Sequence, residues 1–471
     1  MVGLGGGLLL ITWLKGVIGS LISKTTVENA LKLDTVLTPE IEEALELWVR
    51  MYVDSPPWKS TTVLTLNLPA MIASKFAKMA TVEARYTLTG GDRADWLSLQ
   101  IRPVWDKIRN ISESACAMGG VVFKPFIVGD CVVVDTITAD HFFPTAFDSN
   151  NHVTGGVFVA QQRVGDVTYT RLEHQEYNNG THVIKQRAYK STSPNLLGTP
   201  CSLSEVPSWA GIQEETTIEN LEAPLFVYWG MPLANNIAPG SPLGVSVYSR
   251  AAQTIEQLDK QYSRLLWEFE GGELAVHATQ DLFAHRPGGK PGEVELPKGR
   301  RRLYRLISDE IEPGKNFFEV FAPNFRDSSL LNGFNALLKR IEQQCGLAFG
   351  SLSDPQSVAK TATEIVASKQ ESYSTVADIQ KSLENALSNL VRSIDALATA
   401  GALCPSGGYD LAFDWDDSII VDKEARKQQF WQYVVAGKFP FWRYLVDFEG
   451  YTEQEAKALS QDNHIDLFEG A

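Results

Sequence analysis

Apolar positions change their spacing several times along the chain, and each change marks a different kind of element. Thr38-Pro39-Glu40 opens a helix, with a capping hydroxyl followed by proline at the first helical position, where a missing N–H costs nothing. Ile41, Leu45, Trp48, Val49 and Tyr52 share one face of it, and Pro56-Pro57 stops it. A second helix is predicted from Pro69 through Ile72, Phe76 and Met79, and a third around Trp96 to Met118, so the first hundred residues read as helical. At Gly119-Gly120 the period shortens. Val121–Val128 and Cys131–Thr136 flank Gly129-Asp130 and predict a β-hairpin, because glycine first in a two-residue loop suits a II′ turn. More strands follow, with turns at Asp148–Asn151, Gly165-Asp166 and Asn178-Asn179-Gly180. Ser191–Glu222 is rich in Ser, Pro, Thr and Glu and reads as a long surface excursion.

Three long helical patterns come next. Ala251, Ile255, Leu258, Tyr262, Leu265 and Phe269 alternate steps of four and three, and Gly271-Gly272 ends the run. Leu331, Phe334, Leu338, Ile341 and Cys345 repeat the pattern, as do Leu383, Leu387, Leu390, Ile394 and Leu397 behind a Thr361…Glu364 capping box. Such narrow seams belong to helices packed lengthwise against other helices. Between the first two lie residues 273–325, short β-like runs with a basic cluster of Lys298, Arg300, Arg301, Arg302 and Arg305. Two helices of about 20–25 residues would carry this insert roughly 30–37 Å from the main body. The cluster reads equally as a solvated strand face or as a contact patch for an anionic partner. Between the second and third helices, Gly346–Pro355 is glycine-rich and irregular. A β-like piece at Tyr409–Val421 and helices near Lys423–Ala436 and Thr452–Leu459 close the chain, with Trp415, Trp431 and Trp442 assigned to the core.

Composition narrows the function. The 471 residues carry 42 Lys+Arg against 57 Asp+Glu, a net charge of −15. That balance excludes a broad basic surface coating nucleic acid, though not a protein past which DNA slides. The five cysteines (Cys116, Cys131, Cys201, Cys345, Cys404) form no CxxC pair and read as small buried apolar side chains in a reducing compartment. Leu8–Ile11 lacks a preceding basic region, and Lys15 with several glycines interrupts any span of about 20 residues, so neither a signal peptide nor a membrane helix is expected. Ser357-Val358-Ala359-Lys360 matches SxxK without its partner motifs, and Gly288-Gly289-Lys290-Pro291 lacks the hydroxyl residue of a phosphate loop. Asp414, Asp416 and Asp417 could gather a hard cation or serve a carbohydrate hydrolase, but no second carboxylate set faces them, and a solvated strand end is the simpler reading.

The order of elements resembles the portal proteins of tailed bacteriophages, in particular the siphophage type of Gram-positive hosts. Leu45-Glu46-Leu47-Trp48 with Met51-Tyr52, Ala139–Thr145 (ADHFFPT), Lys360–Glu364 (KTATE) and Phe413–Ile419 (FDWDDSI) before Asp422-Lys423-Glu424 carry the likeness. The resemblance implies an elongated α+β subunit: an N-terminal wing over 1–243, stem helices at 244–272 and 328–345 and a small α/β clip at 273–327. It further implies a tunnel loop at 346–360, a long wing helix at 361–400, a wing β segment at 401–422 and a small helical crown at 423–471. Twelve such subunits would form a ring at one capsid vertex, with double-stranded DNA passing through without sequence preference. Implied partners are terminase and the head-completion adaptor at the clip (Lys298, Arg300, Arg301, Arg302, Arg305), together with scaffolding and major capsid proteins. Gly346, Phe349, Gly350, Ser351, Ser353, Lys360, Lys339 and Arg340 would border the channel. No catalytic residue, metal, cofactor or membrane is implied, and the protein is expected in the virion and, during assembly, in the host cytoplasm. The competing classes are a glycosidase-like hydrolase using Asp414, Asp416 and Asp417, and another ring-forming minor head protein.

Overall fold

The computed structural model describes residues 22–193, 196–272, 275–279, 304–307, 318–322, 324–354, 362–415 and 423–462. Helix α1 (Lys24–Leu31) is followed by α2 (Pro39–Tyr52), which starts as predicted: the Thr38 hydroxyl accepts the Ile41 N–H, and Ile41, Leu45, Trp48 and Met51 are buried. Helix α3 (Leu68–Thr81) buries Ile72 and Phe76. The expected all-helical start is interrupted by a strand, β1 (Ala84–Thr89), whose exposure alternates residue by residue. The predicted third helix is two, α4 (Asp92–Trp105) and α5 (Ile108–Met118). Pro103 has no N–H to give the carbonyl four residues back, and the Lys107 N–H bonds Val104, tightening the last turn. The change of period at Gly119 is a steric stop. Its φ is 83°, and a Cβ there would lie 2.6 Å from the Gly244 carbonyl oxygen.

The hairpin is β2 (Gly120–Val128) with β3 (Cys131–Thr138), turning at Gly129-Asp130. A meander then runs through β4 (Phe142–Phe147), β5 (Val153–Val164), β6 (Val167–Asn178) and β7 (Thr181–Ser191), with the three turns where they were predicted. The expected surface excursion instead adds β8 (Thr199–Cys201) and β9 (Glu215–Ile218) to the meander's sheet, ordered β4-β5-β6-β7-β8 with β9 also on β7. Leu203, Val206 and Trp209 are buried against Ala188 on that sheet, apolar positions that the polar composition of the segment hides. Strand β10 (Val227–Gly230) returns to pair β2.

A helical hairpin follows. Helix α6 (Ala252–Gly271) is followed by β11 (Ala275–Thr279), β12 (Tyr304–Ile307) and β13 (Phe318–Phe321), and then by α7 (Asp327–Cys345). Phe269 meets Phe325 at 5.8 Å between ring centroids and Tyr262 meets Phe334 at 6.3 Å, so α6 and α7 run antiparallel. At about 1.5 Å per residue, the 20 residues of α6 span about 30 Å. The described part of the insert is one three-stranded sheet, β12-β11-β13, with β11 and β12 parallel. Helix α8 (Ala362–Ala400) is the main strut of the core: Leu383, Leu387, Leu390, Ile394 and Leu397 are all buried. Its capping residue, Thr361, lies outside the described residues.

Strand β14 (Asp410–Trp415) pairs antiparallel with β1, joining segments more than three hundred residues apart in sequence. Helices α9 (Lys423–Val435), α10 (Phe441–Glu449) and α11 (Glu453–Asp462) close around Phe430, Phe439, Tyr444 and Phe448. Trp415 is half-buried, donating its indole N–H to Glu384 at 2.7 Å, but Trp431 is 45% exposed, contrary to its expected core position. Three short helices enclose too little volume to cover so large a side chain.

Candidate functional site

The loop after α7 begins with a cap that only glycine permits. Gly346 has φ 73° and donates its N–H to the Gln343 carbonyl, while the Leu347 N–H reaches the Glu342 carbonyl at 2.8 Å. This pair of bonds closes a Schellman motif. A Cβ on Gly346 would sit 2.7 Å from the Thr375 hydroxyl oxygen on α8, so the glycine also sets how closely the loop lies on that helix.

Beyond the cap, the loop folds over a buried carboxylate. Glu342 Oε1 accepts the N–H of Leu352 at 2.5 Å and of Ser353 at 2.8 Å. Its Oε2 accepts the N–H of Gly350 at 3.2 Å and the Ser353 hydroxyl at 2.8 Å. Asn335 takes the Asp354 N–H, the Ser372 hydroxyl takes the Ala348 N–H, and the Lys75 ammonium donates to the Ser351 carbonyl at 3.0 Å. Burial pushes Lys75 below the ordinary lysine value, and the nearby Glu342 charge partly opposes that. The Lys339 ammonium stands 5.1 Å from the centroid of the Phe349 ring, a cation–π distance, and Arg340 is exposed with a bond to Gln343.

Of the expected channel residues, Gly346, Phe349, Gly350, Ser351, Ser353, Lys339 and Arg340 thus gather at the end of α7, and Lys360 lies outside the described residues. The Ser353 side chain is buried, and its hydroxyl donates to Glu342. Glu342 was not singled out from the sequence, yet a signal exists: it falls four residues after Leu338 and three before Cys345, on the buried stripe of α7. A carboxylate there must find donors, and a glycine-rich loop follows directly.

At the other end of the α6–α7 hairpin, Glu268 near the end of α6 holds Arg326 before α7. The guanidinium donates through Nη2 at 2.6 Å and Nε at 3.0 Å, and the backbone N–H adds a third bond at 3.1 Å. These bonds hold the Glu268 carboxyl below the usual glutamate range. In the head, Arg305 occupies β12 opposite His277 on β11. Lys298, Arg300, Arg301 and Arg302 lie outside the described residues.

The family model for phage portal proteins of the SPP1 Gp6-like type matches residues 66–461 of this chain. The chain belongs to the phage portal protein family. No curated protein matches this portal protein. Among solved structures it is similar to a chain in the neck of a native GTA particle computed with C12 symmetry, at 11% identity and a TM-score of 0.45, covering 94% of this chain and 99% of that one.

The remaining candidates in the portal subunit are quickly placed. Asp414 is exposed on β14 opposite Arg85, a solvated strand position, and Asp416 and Asp417 lie outside the described residues. Among the described residues no three His, Cys, Asp or Glu side chains are placed to hold a metal, and no helix is long and apolar enough to cross a membrane. Cys116 and Cys345 are buried as expected, whereas Cys131 is exposed next to the turn of the β2–β3 hairpin.

Proposed function

We propose that this portal protein is one of twelve subunits of a closed ring at a capsid vertex, through which double-stranded DNA is packaged and later leaves. The ring is a conduit and docking platform without catalysis of its own, the energy coming from a separate terminase. One observation supports the reading: the outer half of the α6–α7 hairpin bears large apolar side chains that stay exposed among the described residues. Trp267 is 65% exposed, and Phe269, Phe325 and Leu331 are exposed with it. A monomer does not keep such a strip in water, whereas a neighbouring stem hairpin would cover it.

In this reading the wing comprises 1–243, 361–400 and 401–422, the stem 244–272 and 328–345, the clip 273–327, and the crown-like end 423–471. The clip meets terminase and then the head-completion adaptor through Lys298, Arg300, Arg301, Arg302 and Arg305, while the scaffolding and major capsid proteins meet the wing. The loop at 346–360 borders the channel, where Lys339, Arg340 and Lys360 offer fleeting phosphate contacts. The subunit works in the virion after assembly in the host cytoplasm. Sedimentation and negative-stain imaging test the ring. A ring of mass far above the 52.0 kDa of one chain is expected, and a stable monomer at high concentration overturns the reading.

A further inference from the structure

We propose that Glu342 is the positioning residue of the channel loop, fixing residues 350–353 in one arrangement against α7. The proposal rests on the portal reading for its function, but the geometry that carries it is independent of that reading. An ionised carboxylate offers about four lone-pair sites. The loop fills two on each oxygen, with the N–H groups of Leu352 and Ser353 on Oε1 and the Gly350 N–H and Ser353 hydroxyl on Oε2. Glu342 is 1% exposed, so these four bonds replace its hydration shell. Backbone N–H groups converging in a turn form an anion-binding concavity, and here the chain supplies the anion itself.

Two further contacts make this arrangement a clamp. Lys75 on α3 donates to the Ser351 carbonyl, the loop's outward-turned group between the donors, and brings a positive charge near the carboxylate. Asn335, two turns before Glu342 on α7, takes the N–H of Asp354 and adds another tie to that helix. Residues 348–354 are therefore tied to α3, α7 and α8 at once, and a shift of α7 moves them as a unit. A second consequence follows from the charge. With Glu342 in place, three N–H groups that would suit a phosphate oxygen are unavailable to passing DNA.

The test compares rings of wild-type protein with Glu342→Gln and Ser353→Ala. Glu342→Gln keeps the shape but replaces one acceptor oxygen with an NH2 group. Expected are amide exchange at Gly350, Leu352 and Ser353 faster by about tenfold or more, since each bond to a charged acceptor is worth at least about that factor, and unchanged exchange at Leu338 and Ile341. Ring number per preparation stays constant, and DNA packaged per ring falls severalfold. Wild-type exchange at the loop amides, or wild-type packaging per ring, overturns the proposal, as does a uniform loss of protection along α7, which would make Glu342 an ordinary core group. If Glu342→Gln fails to assemble, Ser353→Ala, which removes one donor and keeps the carboxylate, decides: a faster loop and reduced packaging support the role, and no change overturns it. If wild-type protein forms no ring, the portal reading fails, while the exchange comparison still tests the clamp.

Discussion

Arg93 offers the sharpest test of how α4, α8 and the β1–β14 pair are held together. It sits in the first turn of α4 with its side chain 2% exposed, and its guanidinium serves the last turns of α8. Nε donates to Asp395 Oδ1 at 2.7 Å, and Nη2 donates to the Asp395 carbonyl at 2.7 Å and the Thr399 hydroxyl at 2.8 Å. Nη1 reaches the Cys404 carbonyl at 3.0 Å in the connection that leads to β14. One side chain thus ties α4, the C-terminal end of α8 and the approach to the β1–β14 pair. A cation there also answers the partial negative charge of the helix end.

Replacing Arg93 with methionine keeps much of the apolar stem and removes all four bonds. Breaking a buried ion pair costs about 3–5 kcal/mol when the partner charge is stranded. Asp395 is 32% exposed and can be rehydrated, which places the expected loss near the lower end, about 3 kcal/mol. Urea unfolding of Arg93→Met, Asp395→Asn and the double variant measures this. The coupling energy between the two sites should exceed about 1 kcal/mol, well above the few tenths typical of independent sites. A loss below about 1 kcal/mol for Arg93→Met, or a coupling within a few tenths of zero, would refute the assignment of this joint to the ion pair.

Three other outcomes are expected. Trp267→Glu should leave the far-UV spectrum unchanged but shift sedimentation from ring to monomer, because a charge replaces the most exposed apolar side chain of the stem; a ring of wild-type mass would count against the stem interface. His182, fully buried and bonded through Nε2 to Gln175, has its pKa lowered by burial to about 4. The unfolded chain then binds the extra proton between its ordinary value near 6.5 and about 4, so stability should fall as pH drops through that window, by up to about 1.4 kcal/mol per unit. The urea midpoint of His182→Gln should depend less on pH than that of wild type, and equal slopes would show that His182 is not the titrating group. Reversing charge at Arg300, Arg301 and Arg302 should weaken adaptor or terminase binding in a pull-down while rings persist, and unimpaired binding would remove these residues from the docking surface.

Periodicity made the helices and hairpins of this chain legible because a 3.6-residue or two-residue repeat is imposed by burial on one face. The seams of α6, α7 and α8 and the turns at Gly129-Asp130 and Asn179-Gly180 emerged for that reason. What escaped depends on partners distant in sequence. Strand β1 is a strand because β14, more than three hundred residues later, pairs with it, and no local pattern announces that. Strands β8 and β9 hide in a polar segment because an edge position needs few apolar residues. In the site, the loop's place after α7 was readable from its glycines, but its anchor was not, since Glu342 resembles any helix-surface glutamate until the stripe on which it falls is known to be buried. Ser353 faces inward, where its hydroxyl is the fourth donor to Glu342, a contact that no local pattern shows.

The net charge of −15 bears on the channel less directly than its size suggests. At physiological salt the screening length is about 8 Å, so only charges within about that distance of a duplex act on it. Around the described part of the loop the local balance differs from that of the whole chain. Arg340 is exposed and Lys339 stands over Phe349, while of the two acids Asp354 is exposed and Glu342 is buried beneath its own donors. In the proposed ring, a duplex passing this loop would meet two cations and one exposed acid on each subunit rather than a basic lining. Each phosphate neutralised at once contributes about 0.9 to the slope of log affinity against log salt. Rings should then bind linear duplex with a slope of only about −1 to −3, the value for one to three phosphates contacted at a time. A slope near −10, as a broad basic surface gives, would mean that DNA is gripped rather than guided, and Lys339 and Arg340 would no longer account for the contacts.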